Sequence, residues 1–293
     1  MTGPALIHVI GEVMVDVIAR TSSPPAPGSD AEAFVTDQDG GSAANVAAWL
    51  ADLGVPVELM ARVGEDARGD SALARLASAG VVLSIERDPA RATGRCVVIV
   101  TPDGERTMFP DPGANAHLAH VDTQAWRAGE HLHVSGYSLL REGSRAAVLG
   151  ALEQARAAGL TVSVDASSEA PLRALGPEAF LDWLEAGDLL FANALEAQAL
   201  TGVSTAEEAV AALVGRGLVA VVKRGSAGAL AGAGSQRWSV PAAPADARDT
   251  TGAGDAFAAG FLASWTRDRD IDEALRRATR LAARAVSLQG GRP

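Results

Sequence analysis

The residues best placed to do chemistry in this chain stand in one stretch, Asp249-Thr250-Thr251-Gly252-Ala253-Gly254-Asp255-Ala256-Phe257-Ala258-Ala259-Gly260. Its first half is small and glycine-bearing. From there on, Phe257, Phe261 and Trp265 recur at four-residue spacing, one face of a 3.6-residue period. The stretch reads as a tight loop feeding a helix. Thr250 or Thr251 is the natural N-cap, since a threonine oxygen accepts from first-turn N–H groups. The backbone N–H groups of Gly252, Ala253, Gly254 and Asp255 are then unpaired at the positive end of the helix dipole, which suits phosphate. Gly252 and Gly254 let an anion approach without a Cβ in the way. Asp255 does not belong beside an anion on charge grounds. A hydroxyl attacking the phosphate accounts for it, because proton acceptance next to phosphate-charge stabilisation is the arrangement of a phosphoryl transferase. The competing reading is a threonine-capped helix in which Asp255 compensates the dipole. A dinucleotide fingerprint fits less well: the third glycine would fall at Phe257, and the stretch comes late in the chain.

Other polar residues stand where folding alone does not ask for them. Asp16 interrupts the apolar alternation Val13-Met14-Val15-Asp16-Val17-Ile18, where an unpaired carboxylate is costly. It either faces solvent or binds something. Gly40-Gly41-Ser42-Ala43-Ala44-Asn45 opens a helix that Ser42 can cap, with Val46, Trp49, Leu50 and Leu53 as its apolar stripe and Gly54 as its stop. Asn45 in its first turn makes a ligand contact or a local side-chain-to-backbone bond. Asn193-Ala194-Leu195-Glu196 follows a strand end. Its carboxylate suits Mg²⁺ held mainly through water, or else closes a capping box on Asn193. Lys223, the only lysine, ends another strand at the glycine turn Gly225-Ser226-Ala227-Gly228.

Three of these motifs together resemble the ribokinase-like (PfkB) family of carbohydrate and nucleoside kinases. Asp-Thr-Thr-Gly-Ala-Gly-Asp at 249–255 is similar to the family's C-terminal signature, Gly40 to Ala47 to its N-terminal one, and Asn193 to Glu196 to its Asn-x-x-Glu. The resemblance runs from about Val9 to Gly291, in the family's order. It implies Asp255 as catalytic base, with Gly252, Ala253 and Gly254 as the anion hole. Asp16, Gly40, Gly41, Asn45 and Asn115 would contact the sugar. Asn193, Glu196, Lys223, Gly225 and Gly228 would serve ATP and Mg²⁺. Asp249, Thr251, Ser287 and Gly290 match a site for a monovalent cation such as K⁺.

The elements that must position these residues follow from periodicity. Leu6 to Ile10 reads as a buried first strand. His131–Ser135, Thr161–Asp165, Asp188–Phe191 and Leu218–Lys223 alternate with helical patterns, and a last helix runs from about Ile271 to Leu288. Such βαβα alternation implies an α/β fold with a doubly wound, mostly parallel sheet, whose ligands lie beyond the strand C-terminal ends. Asp165, Asn193 and Lys223 fall there. Residues 12–38 and 95–110 are expected to form a small β-sheet lid on a single domain spanning 1–293, the second piece being a hairpin around Pro102-Asp103-Gly104. In the family, such a lid covers the sugar and often mediates dimers, so a homodimer is expected.

Composition bounds the function. A net charge of −11 argues against a general nucleic-acid or anionic-membrane binder. Cys96 is alone, in an apolar run, which leaves no intrachain disulfide or Cys-based metal site. His131 and His133 share a strand face without metal-ligand spacing and read as structural. No basic region precedes the first apolar run, so neither a secretory signal nor a membrane span is expected, and the location should be cytoplasmic. The expected activity is ATP-dependent phosphorylation of a hydroxymethyl group on a small sugar of the ribose, fructose or 2-keto-3-deoxy sugar acid type. A nucleoside kinase on the same scaffold is the alternative; the 4% aromatic content offers few stacking partners for a base. A catalytically inactive ligand-binding protein would not need Asp255.

Overall fold

The computed structural model describes residues 5–293. The apolar run Ile7–Ile10 forms β1, buried along its whole length. The chain then leaves for a second sheet through β2 (Met14–Thr21) and β3 (Ala33–Gly40), and returns in α1 (Ser42–Asp52), β4 (Val57–Gly64), α2 (Ala67–Ser78) and β5 (Val82–Asp88). A second excursion makes β6 (Gly94–Val100) and β7 (Arg106–Asp111). Alternation follows: β8 (His131–Ser135), α3 (Gly136–Leu140), α4 (Glu142–Ala157), β9 (Thr161–Asp165), α5 (Glu169–Leu175), α6 (Pro177–Leu181), β10 (Leu189–Asn193), α7 (Ala194–Thr201), α8 (Ala206–Gly215) and β11 (Val219–Lys223). The hairpin β12 (Ala229–Ala233) and β13 (Gln236–Val240) precedes α9 (Ala253–Asp268) and α10 (Ile271–Val286).

The large sheet has the order β13-β12-β11-β10-β9-β8-β1-β4-β5. It is parallel from β11 to β5, and β12 and β13 add an antiparallel edge that alternation alone did not announce. Helices cover both faces, so the strands carry the continuous apolar runs of a doubly buried sheet. Trp49, Phe257, Phe261 and Leu275 pack on one face with Phe191, and Leu152, Leu172, Phe180 and Leu213 on the other with Leu132. Strand order reverses between β1 and β8, which places a crevice above their C-terminal ends. Among the described residues, no helix is long and apolar enough to cross a membrane.

The small sheet has the order β3-β2-β6-β7, and β3 runs through Gly41 directly into α1. Asp16 shares a face with Ile18, Cys96 and Val98, all buried. Val35, Val97 and Phe109 lie on the opposite face and are exposed. Burial pushes the Cys96 thiol up to about 11, so it behaves as an apolar side chain. His131 and His133 bond Thr161 and Ser163 across the sheet, the structural role expected of them.

Two helix starts differ from expectation. Neither Thr250 nor Thr251 caps α9. Gly252 stands at the N-cap in the left-handed region (φ 71°) with no side-chain cap bond. A Cβ there would sit 2.5 Å from the Gly291 Cα, so the chain after α10 packs where a capping side chain would need room. Ser42 likewise does not cap α1. Gly41 does, at φ 93°, because a Cβ would stand 2.4 Å from the Glu12 carbonyl.

Candidate active site

The starts of α1 and α9 face one another above β1 and β8. Asp255, in the first turn of α9, accepts from the Ser42 hydroxyl at 2.8 Å through Oδ1 and from Asn45 Nδ2 at 2.8 Å through Oδ2. Burial pushes its carboxyl up to about 6; the bonds from Asn45 and Ser42 pull it down, Asp165 pushes it up and Lys223 pulls it down. A carboxylate held by two donors, still basic enough to take a proton near neutrality, is the kind of group general-base work requires. Asn45 was expected to meet the sugar; its amide also orients Asp255. Ser42 does not cap α1; its hydroxyl is a partner of Asp255.

Lys223 ends β11 beside this turn. A Cβ on Gly254 would lie 3.3 Å from Lys223 Nζ, so the ammonium overhangs the Gly252–Gly254 turn. It donates to Asp165 Oδ2 at 2.7 Å. Burial alone would depress this ammonium, but Asp165, Glu196 and Asp255 together hold it above its ordinary value. Asp165, at the end of β9, is a site residue that spacing did not single out beyond its strand-end position.

Asn193 and Glu196 form the capping box of α7: Asn193 Oδ1 accepts from the Glu196 N–H at 2.9 Å, and Glu196 Oε2 accepts from the Asn193 N–H at 2.7 Å. Burial, then Asp165, push the Glu196 carboxyl up to about 6, while Lys223 pulls it down. Three carboxylates thus crowd a single ammonium. Both Glu196 oxygens are engaged by Asn193, and among the described residues no three His, Cys, Asp or Glu side chains are grouped to hold a metal ion, so a divalent cation here would have to bring water or phosphate oxygens as ligands. Gly225 has φ 58° and open space where a Cβ would be. Gly228 is a glycine for a fold reason: a Cβ would stand 2.0 Å from the Val240 carbonyl, where β13 leaves the sheet.

On the substrate side, Asp16 is 8% exposed, and burial pushes its carboxyl up to about 6, with Arg292 pulling it down and Asp39 pushing it up. Gly40 makes room for it, since a Cβ would fall 2.5 Å from Asp16 Oδ1. Asn115 is buried with its amide spent on backbone. Oδ1 accepts from the Val13 N–H at 3.0 Å, and Nδ2 donates to the Val13 and Pro112 carbonyls at 3.0 and 3.1 Å. It anchors the chain entering β2, and we leave it out of the substrate set.

The expected monovalent-cation residues come together only in part. Asp249 accepts from the Thr251 and Gly290 N–H groups at 2.9 and 3.2 Å. The Ser287 hydroxyl turns away to the Arg284 carbonyl. Arg106, from β7, already places its guanidinium 3.1 Å from Asp249 Oδ1 and donates to the hydroxyls of Thr250 and Thr251. The donor set therefore fits K⁺ incompletely, with the Arg106 guanidinium beside Asp249 and the Ser287 hydroxyl turned away.

A doubly wound sheet carrying a small second sheet, with an acid beside a glycine-built helix start, is the arrangement of the ribokinase-like fold. The pfkB carbohydrate kinase profile matches residues 4–293, and the chain belongs to that family. The chain is 37% identical to the ATP-dependent ribose-1-phosphate kinase of Halopiger xanaduensis, over 96% of this chain and 92% of that one. Among solved structures, the adenosine kinase from Sinorhizobium meliloti superposes with a TM-score of 0.87 at 25% identity, covering 99% of this chain and 96% of that one. The fructokinase from Vibrio cholerae O395, solved with fructose, ADP and a calcium ion, gives 0.81 at 27% identity, covering 98% and 94%. The protein is a kinase acting on an alcohol group of a carbohydrate-like substrate.

Proposed function

We propose that the protein transfers the γ-phosphoryl group of ATP to a hydroxymethyl group of a small sugar held between Asp16 and Asn45, with Asp255 taking the hydroxyl proton. The observation that carries this reading is the fixed Asp255 carboxylate at the mouth of the Gly252–Gly254 turn, with the Lys223 ammonium over the same turn. In this reading the small sheet is a lid, and its Asp16 face closes on the sugar. The N–H groups at the start of α9 and the Lys223 ammonium meet the oxygens of the transferring phosphoryl group. Glu196 would help hold, through water, an Mg²⁺ arriving with ATP, which would supply positive charge to the phosphates. A loose transition state asks little of the base, so most of the rate comes from positioning and electrostatics. A coupled ADP-release assay over ribose, fructose, deoxyribose, ribose 1-phosphate, 2-keto-3-deoxy acids and adenosine tests the reading; no ADP release with any of them would sink it.

A phosphorylated or acidic sugar is the second reading, favoured by one specific observation. The Arg292 guanidinium lies at the substrate end, close enough to lower the proton affinity of Asp16. Among the relatives, the ribose-1-phosphate kinase accords with it.

Two expected results follow from the site. Gly254→Val places a branched side chain where phosphate must approach. Turnover should be lost in a protein that still unfolds cooperatively near the wild-type temperature, and normal turnover would put the phosphate elsewhere. The second concerns pH. Asp255 works as a carboxylate and its affinity for protons is raised, so kcat/KM should be full above about pH 7 and fall as pH drops through about 6. A profile flat down to about pH 4.5 would contradict the raised carboxyl.

We also propose that the protein pairs through the exposed apolar face of the small sheet at Val35, Val97 and Phe109. Val97→Asp should convert a dimer to a monomer in sedimentation velocity; a monomeric wild type would end this part of the reading.

A further inference from the structure

Both signature motifs close on the segment after α10. Trp49 Nε1 of α1 donates to the Gly291 carbonyl at 2.9 Å. The Gly290 N–H donates to Asp249 Oδ2 at 3.2 Å, ahead of α9. A Cβ on Gly291 would fall 2.6 Å from Asn45 Nδ2, so the backbone passes against the first turn of α1 with no room for a side chain. This path delivers Arg292 to the substrate end, with its side chain 11% exposed. Its Nε donates to Asn45 Oδ1 at 3.1 Å and its Nη2 to the Gly40 carbonyl at 2.8 Å, while Nη1 stands 3.5 Å from Asp39 Oδ2.

We propose that Arg292 is a positioning residue for the catalytic carboxylate, acting through the Asn45 amide. An amide has one accepting end and one donating end, and a guanidinium only donates. With Arg292 in place, Asn45 Oδ1 must face the guanidinium and Nδ2 must face Asp255. Turned over, the amide would set its oxygen against a carboxylate oxygen and its NH₂ against a cation. Arg292 thereby selects the amide orientation that gives Asp255 a donor on Oδ2, and leaves the other lone pairs of the carboxylate for the sugar hydroxyl. The Gly40 bond completes the arrangement, because Gly40 is the residue whose missing Cβ admits the Asp16 carboxylate. One guanidinium thus ties the sugar-binding turn to the base. Its charge acts in the same direction. Asp255 is otherwise faced by the Lys223 ammonium and the Asp165 and Glu196 carboxylates, and Asp16 by Asp39, so removing Arg292 raises the proton affinity of both acids.

The inference rests on the kinase reading, and the test separates the two. Using the best sugar from the assay above, Arg292→Met should lower kcat/KM for that sugar by about ten- to a hundredfold, the range for losing a hydrogen bond to a charged group. KM for ATP should stay within about twofold, and the acid limb of the pH profile should move upward. In an Asn45→Ala background, assayed above about pH 8 where both acids are ionised with or without Arg292, the same change should cost less than about twofold, because the hydrogen-bonded route to Asp255 is already gone. Arg292→Lys keeps the charge but not the planar fork and should lose at least about threefold; it keeps the proposal testable should the methionine variant fold poorly. Equal losses in both backgrounds, unchanged kinetics in Arg292→Met, or a lysine variant equal to wild type would overturn the proposal. A wild-type protein without turnover on any sugar would overturn the kinase reading instead.

Discussion

Asp255→Asn is expected to lower kcat by about a hundredfold or more, the scale of positioned acid–base catalysis. The substitution keeps the shape and can keep both contacts. The new carbonyl oxygen accepts from Asn45 Nδ2, and the new NH₂ points to the Ser42 hydroxyl, which rotates to accept. What goes is the proton acceptor. The nucleotide side is built from other residues, so affinity for ATP should hold. Stability should not drop either, because the wild-type carboxylate is desolvated: its raised proton affinity shows that the surroundings oppose its charge. The check is kcat for the sugar, ATP affinity by calorimetry and the midpoint of thermal unfolding, measured on one preparation. Activity within a few-fold of wild type would remove Asp255 as the base. A collapse of ATP affinity would instead make it part of the nucleotide site.

Asp16→Ala should weaken sugar use by about 2–4 kcal/mol in kcat/KM, the range for losing charge-assisted hydrogen bonds. Asp16 sits on β2 on the buried face with Ile18, Cys96 and Val98, its charged neighbours being Arg292 and Asp39. A carboxylate in such a pocket, with Gly40 cut away to admit it, is costly to hold without a partner. Two sugar hydroxyls are a suitable pair of donors. A site of this kind rejects analogues lacking those hydroxyls, because its polar groups are left unsatisfied. The variant should therefore discriminate less between the sugar and the deoxy analogue that lacks the partnered hydroxyl, with KM for ATP unchanged. Equal weakening of sugar and ATP, or untouched sugar kinetics, would make Asp16 a structural residue and require another substrate site.

Both predictions concern residues whose type and position already stood out in the chain. The anion turn at Gly252–Gly254, Asp255 and the stray carboxylate of Asp16 are local signals: a glycine pattern before an apolar helix, and a charge inside an apolar strand. The βαβα alternation is equally local, and it sufficed for an α/β sheet wound on both sides. Other assignments needed the path of the chain. Ser42 looked like a cap because serine before an apolar stripe usually is one. It bonds Asp255, 213 residues on, because Gly41 already makes the turn. Thr250 and Thr251 looked like caps for the same reason, and their hydroxyls go to Arg106 on another sheet. Asn115 looked like a ligand residue in a loop, and its amide pins the backbone at Val13.

What the sequence by itself determined is the set of turns, periods and motifs that each depend on neighbours a few residues away: the fold class, the glycine turn ahead of α9, and the acid beside it. What only the tertiary structure decided is which distant groups share a charge or a proton with them. Lys223 meets Asp165 because β9 and β11 flank β10 in one parallel sheet and end at the same level. Arg292 reaches Asn45 across 247 residues because the segment after α10 is squeezed past two glycines, with no room to go elsewhere. Hydrogen bonds and screened charges act over a few ångströms of space, and separation along the chain says nothing of that distance until the sheet has brought the strand ends together.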